Sequence, residues 1–186
     1  MEITETLYLS TREDWGRWLK KNYNSKEDIW LVSYRKGTGR PNIPYNVAVE
    51  EALCFGWIDS IRKGIDGEKY AQRFTPRDPN SEFSQTNKER LARLAIEGKV
   101  IPEVLRTLTV NRPEEYKIPE DILSAIQVNA AAWQFFKSTS PSYQRIRAAY
   151  VDVARDRPSE FMKRLNNLVE KSANGKQFGY HIEDLY

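Results

Sequence analysis

The chain has 186 residues, a formal net charge of +3, and 30% charged against 40% hydrophobic residues. This composition is typical of a globular protein with a core of its own and excludes a largely disordered chain. One Cys excludes an intrachain disulfide and one His excludes most zinc-ligand sets, so no metal or other cofactor is expected. The polar N-terminus and the lack of any apolar run of 18 residues predict a cytoplasmic protein without membrane insertion.

Helix and strand signals alternate in the first quarter of the chain. Ser10 and Thr11 are candidate N-caps, and apolar residues at helical spacing predict a helix over residues 12–22. Ile29–Lys36 is dense in β-branched and aromatic residues and predicts a strand that ends in a glycine-rich turn. Tyr45–Phe55 predicts a short helix.

A hairpin is predicted next. Trp57–Lys63 and Lys69–Thr75 have strand composition, and the dipeptide Asp66-Gly67 between them is a strong hairpin signal. Pro76 ends the second strand because proline cannot donate a hydrogen bond within a sheet. The phrases CFGWIDS and QRFTPRDPNS lie on the two strands, so we expect them to form one feature.

The register of this hairpin decides what faces Asp59. If Asp66 and Gly67 are the two central turn residues, Asp59 lies opposite Phe74. A three-residue loop would instead place Asp59 opposite Arg73, as a cross-strand ion pair. The sequence leaves both registers open.

The rest of the chain is helical in pattern. Ser84 is the expected N-cap of a helix that ends at Gly98. Pro119, Pro141 and Pro158 mark the starts of further helices, since proline is favoured in the first turn. Three or four helices are therefore expected to form a small bundle or a cap.

These elements predict an α+β fold, with a small antiparallel sheet and packed helices followed by a C-terminal helical segment. The predicted divisions are residues 1–110 for the α+β domain, 111–176 for the helical segment and 177–186 for the tail. Cys54 at a helix end is expected to be a small core residue, because no second Cys and no nearby His would lower its pKa. His181 is expected to be mobile or loosely docked, because it lies near the terminus.

The phrases ALCFGWIDS and YAQRFTPRDPNSEFSQTNKERL carry a resemblance. In them the chain resembles the YdeI/OmpD-associated (OmdA-like, bacteriocin-protection) family, and the similarity extends from about Leu7 to Lys176. The resemblance implies a cytosolic protein linked by name to envelope or bacteriocin stress, and it implies no particular enzymatic activity.

The positions that match the family's motif are Gly56, Trp57, Asp59, Arg73, Phe74, Pro76, Arg77, Ser81, Ser84 and Asn87. Phe83 departs from the pattern, in which a tryptophan precedes the serine, so an indole hydrogen bond is lost there. Ser159–Leu165 also departs, because the family more often has a Glu-Thr pair before its arginines.

One reading of these residues is structural, with Asp59 accepting hydrogen bonds from Arg77 to pin the hairpin to the next helix. The functional reading is a pocket for a small anionic ligand, with arginine forks and aromatic walls. Its predicted residues are Trp57, Asp59, Arg73, Phe74, Arg77, Ser81 and Asn87. An enzyme with Asp59 as the acid or base is an alternative, although no nucleophile or second acid is recognisable.

Two further classes of function are considered. A nucleic-acid module would use the basic and aromatic residues of the hairpin, which are Arg62, Lys63, Lys69, Tyr70, Arg73, Phe74 and Arg77. The nearby acidic residues dilute this patch, which argues against a nucleic-acid partner. A protein partner of the C-terminal helices is the other alternative. The sequence thus favours a binding or stress-protection protein over an enzyme.

Overall fold

A computed structural model of the protein describes residues 2–108, 112–179 and 182. The chain divides into two compact units, Met1–Glu82 with Arg93–Thr109 and Phe83–Ala92 with Val110–Tyr186. The α+β class is confirmed. The predicted divisions at residues 110 and 176 stay a prediction, and His181 lies outside the described residues.

The first unit contains a four-stranded sheet in the order β1-β2-β4-β3. Its strands are β1 (Thr6–Tyr8), β2 (Ile29–Tyr34), β3 (Trp57–Gly64) and β4 (Lys69–Pro76). The three longer strands are antiparallel neighbours, as predicted. The short β1, which the sequence pattern did not indicate, pairs in parallel with β2, so the sheet is mixed.

The helices confirm most of the predicted elements. They are α1 (Arg12–Asn22), α2 (Tyr45–Cys54), α3 (Gln85–Ile96), α4 (Pro102–Leu108), α5 (Glu120–Gln127), α6 (Ala130–Ser138), α7 (Pro141–Asp152) and α8 (Pro158–Ala173). Thr11 caps α1, where its hydroxyl accepts a hydrogen bond from the Asp14 amide. Ser140 caps α7 in the same way, because its hydroxyl accepts the Tyr143 amide.

Aromatic packing joins the sheet of the first unit to α1. Trp15 on α1 contacts Phe74 on β4 with ring centroids 5.3 Å apart, and Trp18 meets Trp57 on β3 edge to face. All but Trp18 are completely buried. The indole N–H of Trp15 donates to the carbonyl of Ala48, so the same ring also ties α1 to α2.

The second unit has its own core. Each of its last four helices contributes apolar residues to one cluster, made of Ile122, Ile126, Ala132, Phe136, Ala148, Val151, Leu165 and Leu168. These residues recur at three- and four-residue spacing, the pattern that predicted the helices. Within the described residues, no helix is both long and apolar enough to span a membrane.

Candidate functional site

The structure brings the two phrases together. Trp57 pairs with Pro76 at the ends of β3 and β4, and the amide of Arg77 donates to the carbonyl of Gly56 at 2.9 Å. This N–H lies one residue beyond the proline that ends the strand. The two phrases therefore meet through the backbone, as expected.

Asp59 lies opposite Phe74, so the first of the two proposed registers is correct at this position. A bulge between Asp59 and Arg62 then shifts the pairing by one residue, and Arg62 lies opposite Gln72. The alternative with Asp59 opposite Arg73 is wrong. Neither predicted turn describes the whole hairpin, because the amide of Ile65 donates to the carbonyl of Lys69 at 3.0 Å and residues 66–68 form the turn.

The partner of Asp59 is a tyrosine. The hydroxyl of Tyr45, the first residue of α2, donates to the Asp59 carboxylate at 2.6 Å. Within the described part of the chain, Asp59 makes no ion pair with Arg73 or Arg77. The Asp59 carboxylate thus holds the first residue of α2 against the sheet.

Arg73 lies on the other face of the sheet, because neighbouring strand residues point to opposite sides and Phe74 shares its face with Asp59. The Nε of Arg73 binds the Asp28 carboxylate at 2.8 Å. Thr4 donates a second hydrogen bond to Asp28 at 3.1 Å. Arg73 is therefore engaged in a structural pair away from Asp59.

The remaining predicted residues lie in different places. Burial lowers the pKa of the half-buried Arg77. The hydroxyl of Ser81 donates to the carbonyl of Asp78 within its own turn. Asn87 belongs to the second unit, on α3, where its backbone N–H donates to the hydroxyl of Ser84.

Trp57, Asp59 and Phe74 are the three predicted residues that share one face of the sheet. Phe74 lines a cavity of about 30 Å³ there, together with Tyr45. That space is enough for a water molecule and too small for a metabolite. That the seven residues named from the sequence bind a ligand stays a prediction.

A much larger groove lies along α1 and was not predicted. It has a volume of about 480 Å³ and is lined by Arg12, Glu13, Gly16, Arg17, Lys20, Glu51, Phe55 and Lys99. Four of these side chains are cationic and two are acidic. Residues 12, 16 and 20 are four apart, so α1 presents them as one stripe along the groove.

An ion-pair network connects two lining residues of the groove, Arg12 and Glu51, to buried charges behind them. The Nε of Arg12 binds Glu51 at 2.7 Å, and its Nη1 lies 3.5 Å from Glu50. Glu50 is 4% exposed and also pairs with Arg93. Burial would lower the pKa of Arg12, but the hydrogen bond to Glu51 and the charges of both glutamates raise it above its ordinary value. Arg12 is therefore a fixed positive charge.

One nitrogen of the Arg12 guanidinium does not take part in these ion pairs. The Nη2 of Arg12 is buried and has no hydrogen-bond partner among the described residues. A buried donor without a partner carries a desolvation cost that a bound acceptor would relieve. Arg12 thus combines a fixed charge with a spare donor in a residue that lines the groove.

Gly16 makes room for this arrangement. A Cβ atom at this position would clash with the Glu51 carboxylate oxygen. A glycine in the middle of a helix costs about 0.5–1 kcal/mol relative to alanine. Gly16 is therefore a sequence signal for a close approach to the helix at this position. The pairing of α1 with α2 was not readable from periodicity, and the groove was missed for that reason.

Cys54 is buried and, as predicted, suited to packing and not to nucleophilic chemistry. Burial raises the pKa of its thiol to about 12, and the charge of Glu51 adds to the effect. A thiol with this pKa is protonated at neutral pH, and the thiolate is the reactive form.

The fold and the groove define an α+β protein with a cationic cleft in a mixed-sheet unit, followed by a helical unit. Residues 7–107 match the model of a domain of unknown function, DUF8412, and because the match covers more than half of the chain, the protein belongs to that family. Residues 115–175 match a second model, described as "Bacteriocin-protection, YdeI or OmpD-Associated". No curated protein and no solved structure matches the chain.

The resemblance stated from the sequence is thereby confirmed, and its location is informative. The bacteriocin-protection match lies in the helical segment. The GWID and FTPR phrases, on which the resemblance was based, lie within the other matched family.

Proposed function

We propose that this protein is a binding protein that holds a small anionic ligand in the groove along α1. The observation that carries the proposal is the lining of the groove, where four cationic side chains face two carboxylates. One of those carboxylates, Glu51, is already paired with Arg12. Arg17 and Lys99 pair with Asp14 and Glu97, which lie outside the lining. The lining residues themselves carry a net charge of +2, which suits a phosphate or carboxylate.

The size of the groove supports the same proposal. At about 480 Å³ it falls within the range of small-molecule sites, roughly 300–1,000 Å³. Phe55 supplies an apolar wall beside the charges, which suits a metabolite with both an anionic group and an apolar or aromatic part. Arg12 fixes the anionic group, and Arg17 and Lys20 extend the cationic wall along the helix.

The wider role that we propose is protection against envelope or bacteriocin stress by a cytoplasmic protein. Its support is the description of the family that matches residues 115–175. In this proposal the protein acts through binding and not through catalysis.

A thermal-shift screen of the whole protein tests the proposed site. The probes are inorganic phosphate, citrate and adenine nucleotides, each used with the wild type, Lys20→Ala and Lys21→Ala. Lys20 lines the groove and its neighbour Lys21 does not, so the two variants lose the same charge from adjacent positions. A probe that raises Tm for the wild type and Lys21→Ala, and much less for Lys20→Ala, supports the groove.

Arg77→Ala is included because it tests the site predicted from the sequence. Loss of the Tm shift in Arg77→Ala and its retention in Lys20→Ala would move the ligand to the FTPR phrase. Equal shifts in all four proteins, or no shift with any probe, would overturn the groove as the binding site.

A further inference from the structure

A second concentration of positive charge lies at one end of the sheet, away from the residues that line the groove. We call it the basic tip, and it consists of Arg35, Lys36, Arg40, Arg62, Lys63 and Lys69. The segments that contain it, residues 34–40 and 61–70, include two acidic residues. Their net charge is +4 in a chain whose total is +3, so the charge of the protein is strongly localised here.

Backbone pairing holds these segments together. Tyr34 at the end of β2 pairs with Lys69 at the start of β4, and Gly64 at the end of β3 pairs with Tyr70. The amide of Arg35 donates to the carbonyl of Glu68 at 2.8 Å. The loop after β2 and the turn of the hairpin therefore lie side by side.

Three of the four acidic residues near the patch are engaged by other groups, and the net charge of +4 already includes Asp66 and Glu68. Asp66 accepts the amides of Glu68 and Lys69, both at 2.8 Å, and pairs with the Lys69 ammonium at 3.2 Å. Its carboxylate is used by the turn itself. Asp59 binds Tyr45, and Asp78 accepts an amide within its own turn.

Aromatic rings alternate with the charges. The guanidinium of Arg40 lies over the ring of Tyr34 at 5.5 Å, and that of Arg62 lies over Tyr70 at 5.1 Å. The two tyrosines belong to opposite faces of the sheet, because Tyr70 pairs with Ser33, the residue before Tyr34. A chain that crosses the end of the sheet meets both Arg-Tyr pairs.

We propose that the basic tip binds single-stranded nucleic acid. The cationic side chains contact phosphates, and bases stack on the two Arg-Tyr pairs as the strand passes over the end of the sheet. Phe74, part of the ribbon considered from the sequence, is completely buried and takes no part.

The same charges suit an anionic lipid surface less well. Ile61 and Ile65, at 42% and 40%, are the exposed large apolar side chains of the same segment. A surface that inserts into lipid presents a larger apolar area than two isoleucines supply. The combination of charge with Arg-Tyr stacking instead matches the chemistry of a flexible strand with unpaired bases.

Fluorescence anisotropy with the whole protein tests the proposal. The probe is a fluorescein-labelled 15-nucleotide oligothymidylate, titrated at several NaCl concentrations between 50 and 300 mM. Three or four phosphate contacts predict a slope of log K against log salt of about −2 to −3. The triple variant R35A/K36A/R40A is expected to bind at least tenfold more weakly at 50 mM and to show a shallower slope.

The matched control removes the same charge from the groove, in the triple variant R17A/K20A/K99A. All six substituted side chains are exposed at the surface, so both variants are expected to keep the wild-type circular dichroism spectrum. Tight binding that is lost only in R35A/K36A/R40A supports the proposal. Equal losses in both triple variants would reveal an effect of net charge alone and would overturn it.

Two further outcomes would also overturn the proposal. One is no binding at 50 mM salt, and the other is stronger binding to a duplex of the same length or to phosphatidylserine vesicles than to the single strand. Arg40→Lys provides a finer check, because lysine keeps the charge and loses the planar stacking group, and we expect a weakened affinity with an unchanged salt slope. The variants of the basic tip leave the groove residues unchanged, so the failure of either proposal can be recognised separately.

Discussion

Arg145 grips both carboxylate oxygens of Glu89, through Nε at 2.6 Å and Nη2 at 2.9 Å. Gln85 and Ser142 each donate a further hydrogen bond to the same carboxylate at 2.9 Å. Glu89 is 5% exposed, and these four hydrogen bonds offset the cost of burying its charge. The pair ties the first part of α3 to α7 within the second unit.

Glu89→Gln is expected to lower the free energy of unfolding by about 3 kcal/mol, because it leaves the Arg145 charge without its carboxylate in a largely buried place. Urea denaturation at pH 7 measures the change. Glu5→Gln is the matched control, since Glu5 forms an exposed pair with Lys26, and such pairs contribute about 0.2–1 kcal/mol. Equal effects of the two substitutions would contradict the assigned role of Glu89.

The same carboxylate predicts a pH dependence. Burial alone would raise the pKa of Glu89, but hydrogen bonds from Arg145, Gln85 and Ser142 outweigh it and hold the pKa below its ordinary value of 4.5. The stabilisation is therefore complete above about pH 4.5 and is lost as the pH falls through the lower pKa of the folded state.

The difference in unfolding free energy between the wild type and Glu89→Gln is accordingly expected to shrink between about pH 5 and pH 3. Urea denaturation across this range measures it. A difference that stays constant down to pH 3 would show that the carboxylate is not stabilised in its charged form.

A fragment experiment tests where the helical unit begins. Glu89 and Gln85 belong to the second unit although they lie before residue 111, and Gln85 also donates to the carbonyl of Pro113. A fragment of residues 83–179 is expected to melt cooperatively, whereas a fragment of residues 113–179 lacks these contacts and is expected to melt at least 10 °C lower. Circular dichroism melting curves compare them, and equal Tm values would favour the division at residue 110 predicted from the sequence.

Asp59 is a case in which the sequence located a constraint and misassigned its partner. Its hydrogen bond to Tyr45 is exposed, and an asparagine amide oxygen can accept the same hydrogen bond. Asp59→Asn is therefore expected to lower the unfolding free energy by less than about 1 kcal/mol, rather than by the larger amount that an arginine pair would give.

A double-mutant cycle with Tyr45→Phe measures this directly. A coupling energy near 0.5–1 kcal/mol between Asp59 and Tyr45 is expected, and none between Asp59 and Arg77. A coupling with Arg77 larger than that with Tyr45 would restore the original structural reading.

Local signals predicted the elements of this protein well, because caps, prolines and apolar periodicity act over a few residues. Thr11 and Pro141 each lie at a helix start that was predicted from such signals. The partners of the charged side chains were not readable in the same way. The pair of Arg73 with Asp28 spans 45 residues and depends on which face of β4 is turned toward which segment.

The hairpin of β3 and β4 shows most clearly what local sequence signals do not predict. The Asp66-Gly67 signal predicts where the chain turns, and one of its two registers is correct at Asp59. A single bulge then shifts the pairing at Arg62, and nothing in the local composition marks it. The basic tip depends on this register, because it decides which cationic side chains lie beside which rings.

Gly16→Ala tests the groove through its geometry and leaves its charges unchanged. The added methyl group would displace the Glu51 carboxylate from its position beside the helix and so disturb its ion pair with Arg12. Alanine also favours the helix by about 0.5–1 kcal/mol, which offsets the weakened pair. We expect the unfolding free energy to change by less than about 1 kcal/mol, while any ligand-induced rise in Tm falls by at least half. A variant that keeps the full rise in Tm would show that the ligand does not depend on this part of the groove.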